Sequence, residues 1–100
     1  MMDKYILDGK TPVLCDDRTW GRWMETASRH VMQEEREGVR VSTVFLGLDH
    51  QGGEGPHLLF ETMIFGGPHD QDQARYPTWA EAEAGHAQMC RKAFSAPRDR

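Results

Sequence analysis

The chain has 100 residues, 12 basic and 16 acidic side chains, a net charge of −4, 38% hydrophobic residues and a mean hydropathy of −0.71. At this length one core is expected, and two are excluded by the surface a short chain can bury. No run of about eighteen apolar residues exists, and residues 1–8 lack a basic segment followed by an apolar one, so neither a membrane span nor a secretory leader is expected.

Two cysteines, Cys15 and Cys90, stand far apart and in no CxxC arrangement. They are too few for a disulfide scaffold and too scattered for a zinc site of the usual spacing, so each reads as a small buried thiol in a reducing, cytoplasmic setting. No cofactor is expected. Charge is uneven: residues 1–38 are net −2, residues 39–90 net −5 and residues 91–100 net +3. An acidic middle argues against wrapping nucleic acid, which needs clustered Lys and Arg facing phosphates.

Lys4 to Leu7, the pair Asp8-Gly9 and Lys10 to Leu14 read as a short hairpin with Asp8-Gly9 as a two-residue type I′ turn. Pro12 confines its strand to an edge. Asp16 or Asp17 is an N-cap candidate, and Trp20, Trp23, Met24 and Ala27 follow at helical spacing, giving a helix over 18–27 with both Trp toward the core. Residues 29–35 alternate as a half-exposed strand, and Arg36-Glu37-Gly38 makes a turn. Residues 40–48 are the strongest strand, apolar on both faces and therefore central. Gly47 in it marks a bulge or the close approach of another backbone.

Residues 49–56 form a Gly-rich loop, and residues 57–65 a second strong strand that pairs antiparallel with the first as a long hairpin ended by Gly66-Gly67-Pro68. The chain is then polar through Pro77. Thr78-Trp79-Ala80-Glu81 is a capping box. Trp79, Ala82, His86, Met89, Cys90 and Ala93 trace one helical face to about Phe94. The class is α+β: an antiparallel meander with a long central hairpin and two helices mainly on one face. Residues 1–95 make a single domain and residues 96–100 a flexible tail.

The chemistry-bearing residues are sparse. His50, His57, His69 and His86 match no standard metal spacing, and His86 on an apolar stripe reads as a hydrogen-bonded core histidine. Asp49, His50 and His57 flank the long hairpin's loop and, with Glu61, form a candidate ligand pocket. If Phe60, Thr62 and Ile64 face the core, Glu61 points outward with Leu59, Met63 and Phe65. That second face is too apolar to be merely solvated, which makes Glu61, Met63 and Phe65 a candidate interaction surface, with Arg40 or Arg75 as counter-charge. Gly52-Gly53-Glu54-Gly55 lacks the Lys-Ser/Thr of a phosphate loop, and no nucleophile–base pair stands out, so no catalytic residue is nominated.

The strings VSTVFLGLDH (41–50), LFETMIFGG (59–67) and RYPTWAEAEAGH (75–86), with the first helix over Trp20 to Ala27, resemble a family of small proteins from tailed phages and prophages. The resemblance covers nearly the whole chain and brings no activity or site residue with it. It implies an accessory protein acting inside an infected bacterium, with a host-takeover or anti-defence role. The expectation is a non-enzymatic module that binds a host protein. The alternative is a small-ligand or metal-binding protein with its pocket near the hairpin tip. A homodimer suits either reading, because a short chain with an apolar second sheet face gains from extra burial.

Overall fold

A computed structural model describes residues 2–49 and 55–95. Strands β1 (Lys4–Asp8) and β2 (Thr11–Cys15) pair antiparallel, with Asp8 opposite Thr11. That register puts the turn at Gly9-Lys10, one residue later than the sequence suggests. Gly9 alone has positive φ, +65°, the signature of a II′ rather than a I′ turn. Helix α1 (Asp17–Thr26) follows, with Asp16 as N-cap accepting from the Thr19 N–H at 2.7 Å.

A second sheet is built from β3 (His30–Arg36), β4 (Val39–Phe45), β5 (Phe60–Phe65) and β6 (Gln73–Tyr76), antiparallel and in that spatial order. The chain is thus α+β, with β4 and β5 central as their two apolar faces require. Glu37-Gly38, both at positive φ (50° and 84°), makes the tight β3–β4 turn. Strand β6 occupies a stretch that reads as polar connection. Its Ala74 pairs with Thr62 and its Tyr76 with Phe60, so alternate residues face the core.

Helix α2 (Trp79–Phe94) is capped by Thr78, whose hydroxyl accepts from the Glu81 N–H at 3.1 Å. It lies across the sheet face formed by Val41, Thr43, Phe45, Phe60, Thr62 and Ile64, all with no exposed surface. Its own buried side is Ala82, Gly85, His86, Met89, Cys90 and Ala93. The core has two parts. Val41 and Ile64 meet Met89, Cys90 and Ala93 toward the C-terminal end of α2. Phe45, Leu59, Phe60 and Ala82 meet Tyr5, Leu7, Trp23 and Trp79 at the other end. Burying Phe45 or Phe60 contributes about 2–3 kcal/mol each.

The first hairpin and α1 join the sheet at this second cluster. Trp23 meets Phe45 edge-on, ring centroids 5.7 Å apart. Gly47, φ +77°, presents its carbonyl to both the Tyr5 N–H (2.9 Å) and the Trp20 indole N–H (3.0 Å). A Cβ on Gly47 would sit 3.1 Å from that indole nitrogen, so this glycine does mark a close approach of another segment.

Candidate functional site

The residues nominated from sequence fall into two separate places. At the open end of the long hairpin, the Asp49 carboxylate meets Nδ1 of His57; the Asp49 side chain is 2% exposed and that of His57 44%. The Tyr5 ring lies 5.8 Å from the imidazole, and burial, then the charges of Asp3 and Asp49, push the Tyr5 phenol above its ordinary value. His50 lies outside the described residues. Glu61 belongs elsewhere: it stands opposite Val44 and Arg75 in the sheet, and its carboxylate accepts from Arg75 Nε at 3.0 Å. Of the two counter-charges considered from sequence, Arg75 is the one engaged.

Glu61, Met63 and Phe65 share the sheet face opposite α2, because Phe60, Thr62 and Ile64 turn inward. Leu59 departs from that pattern. It precedes β5 and is 3% exposed, held by Leu46 N–H donating to its carbonyl and its own N–H donating to Tyr76. The outer face has an apolar centre of half-buried Val44 and Met63 with Phe65, which is 36% exposed. Arg40 stacks its guanidinium 4.5 Å from the Phe65 ring centroid. Glu35 stands opposite Arg40 in the register with β3, and Glu61 holds Arg75 in an ion pair. Among the described residues no helix is laid across it.

The structure also assembles polar residues that the sequence does not connect. His86 is fully buried under α2, and its Nδ1 is 2.7 Å from the Thr43 hydroxyl, which in turn bonds the Thr62 hydroxyl, with the Tyr76 phenol bonded to Thr62 beyond. Its Nε2 is 3.3 Å from Glu34 Oε1 on the edge strand. Cys90, one helical turn beyond His86, completes the group: the Glu34, His86 and Cys90 donor atoms all lie within 4.8 Å of one another. Burial first, then the Glu34 carboxylate, push the Cys90 thiol up to about 11, so it is a protonated donor and a poor nucleophile. The core-histidine reading of His86 is what the geometry shows.

The link to Glu34 was hidden by a bulge between His30 and Met32. Strict alternation puts Val31 and Glu34 on opposite faces. With the bulge, Val31 packs on the Phe45 cluster and Glu34 reaches α2 from the same side.

No protein-family profile matches the sequence, and no curated protein or solved structure is detectably similar to it.

Proposed function

We propose that this chain is a non-enzymatic interaction module, a phage-type accessory protein acting inside a bacterial cell, that binds a host protein through the outer face of its four-stranded sheet. The observation that carries this reading is that face itself: an apolar centre of Val44, Met63 and Phe65, flanked by the Glu61–Arg75 ion pair and by Arg40 stacked on Phe65, with no described helix across it. Such a surface suits a protein with a complementary apolar patch. It suits nucleic acid poorly, because Arg75 is held by Glu61 and the Arg40 guanidinium lies over the Phe65 ring. Among the described residues no helix is long and apolar enough to cross a membrane. The resemblance to small phage and prophage proteins supplies the cellular context.

The test is site-specific photo-crosslinking in a bacterial host, with the crosslinker at Met63 or at Gln88 on the exposed side of α2. The expected result is one host-protein adduct from Met63, none from Gln88, and its loss in Glu61→Arg. Equal labelling from both positions, or none from Met63, rejects the reading. An adduct between two copies of this chain replaces the host partner with a homodimer.

A second reading, a small-ligand or metal pocket at the hairpin tip, is favoured by the buried Asp49 carboxylate against His57. Native mass spectrometry of freshly purified protein decides it. A bound mass that disappears in His57→Ala supports the pocket, and a bare-chain mass with no thermal shift on adding metals or nucleotides removes it.

A further inference from the structure

We propose that Glu34, His86 and Cys90 form a binding site for one divalent transition-metal cation of the zinc class. This goes beyond the docking reading and lies on the opposite side of the sheet. The sequence spacing of the cysteines argues against zinc because it looks for ligands close together along the chain. Here the ligands come from an edge strand and from positions one turn apart on a facing helix, a combination no short motif displays.

Geometry carries the assignment. The Nε2 to Oε1 distance of 3.3 Å is long for a charge-assisted hydrogen bond, which closes to about 2.7–2.9 Å. It equals the nitrogen–oxygen edge of a zinc tetrahedron, about 3.3 Å for metal–ligand bonds of about 2.0 Å. The corresponding edges to sulfur are about 3.5 Å. The Cys90 sulfur lies no more than 4.8 Å from the other two donors, so closing the triangle takes at most about 1.3 Å of movement, within reach of a side-chain rotation.

Charge balance agrees. A divalent cation with one carboxylate, one thiolate and one neutral imidazole adds up to zero, so a half-buried site takes on no net charge. As the metal–sulfur bond forms, the Cys90 proton leaves to solvent.

The second ring nitrogen of His86 is also placed as a metal ligand requires. Nδ1 meets Thr43, and Thr43 meets Thr62, which is bonded to Tyr76. With Nδ1–H donating into this chain of hydroxyls, Nε2 keeps its lone pair for the metal and the ring is fixed in orientation. The two hydroxyls can rotate to run the chain in either direction, so the metal-ready tautomer requires no repacking. Access and a fourth coordination position come from a cavity of about 350 Å³ lined by Arg36, Cys90, Arg91, Phe94 and Ser95. The two arginines there suit water or an anion as the fourth ligand.

The experiment titrates the full chain, stripped with a chelator, with Co²⁺ as probe. A one-to-one complex with a sulfur-to-cobalt charge-transfer band, displaced by Zn²⁺, is expected. Cys90→Ser abolishes the band while Cys15→Ser keeps it. Glu34→Gln, at a half-exposed edge position where folding is not at stake, weakens binding about tenfold or more with the band retained. No charge-transfer band, a band that survives Cys90→Ser or vanishes in Cys15→Ser, or unchanged affinity in Glu34→Gln overturns the site.

Discussion

The first forty residues and the rest of the chain are held in different ways. Among the described residues before Val41 none is buried, although they include a complete hairpin, helix α1 and the edge strand β3. From Val41 to Ala93 alternate residues of β4 and β5 and one whole side of α2 are sealed. The early elements are regular because their local chemistry is good: an Asp N-cap, a glycine at the hairpin turn, two Trp at helical spacing. The later elements are regular because they bury surface against one another. Local order with little burial opens at low free energy, whereas the sheet–α2 body sets the global stability. The centre of the outer sheet face, and His86 and Cys90 of the buried polar group, belong to that second body, while Glu34 reaches the group from β3 in the first.

The strongest challenge to this contrast is Phe45, where the two regions meet: it is fully buried, 5.3 Å from Phe60 and 5.7 Å from Trp23 by ring centroids. Phe45→Ala is expected to cost about 3–5 kcal/mol. In a chemical denaturation series the first region should lose structure no later than the sheet. If α1 instead stays protected while the sheet loosens, the dependence of the first region on the second is wrong.

Next in size is Gly85→Ala, confined to the second region. Helix propensity alone predicts a gain of about 1 kcal/mol. Tyr76 lies so close against the helix that a new Cβ would fall 2.1 Å from its ring carbon Cζ, and the bond from Tyr76 to Thr62 ties that ring in place. A net loss of about 2–3 kcal/mol is therefore expected. The sign of the shift in denaturation midpoint discriminates, and a stabilised variant would show that Tyr76 is not held against α2.

The same contrast explains what could be read from sequence. Strands β4 and β5 and the capped α2 were legible, because β-branched runs and a Thr-x-x-Glu box state their environment locally. Strand β6 was not, since Gln73–Tyr76 shows only two inward residues, Ala74 and Tyr76, set among charges. The turn at Gly9-Lys10 was displaced by one residue because Asp-Gly suits a I′ turn and the register chose the next pair. Of the candidate pocket, Asp49 and His57 do meet, being close to either end of one loop. Glu61 keeps its own partner on another face. The Glu34–His86–Cys90 group depends on a bulge and on a contact between residues 52 positions apart, and neither leaves a periodic trace.

Gly47→Ala sharpens the contrast from the other side. Its φ of +77° costs a residue with a Cβ about 1–2 kcal/mol, and the added atom crowds the Trp20 indole at 3.1 Å. The expected result is selective: faster amide exchange at Tyr5 and a shifted Trp emission, with β4–β5 protection little changed. Uniform loss of protection across both regions would show that they open as one unit.

The smallest effect separates the regions by pH. The Thr19 backbone N–H, donating to Asp16, holds that carboxyl below its usual value. A carboxyl with a depressed folded value contributes stability above the unfolded pKa of about 3.9, and that contribution is lost as pH falls through the folded value. Asp16 is fully exposed, so the effect stays local to the first turn of α1. Helical signal from α1 should therefore decline below about pH 4 before the sheet does, since cap protonation also removes the negative charge that suits a helix N-terminus. Asp16→Asn, which keeps an acceptor but cannot titrate, should flatten that decline; if the acid limb is unchanged in Asp16→Asn, the first region is held by its contacts with Phe45 and Gly47 and not by its own cap.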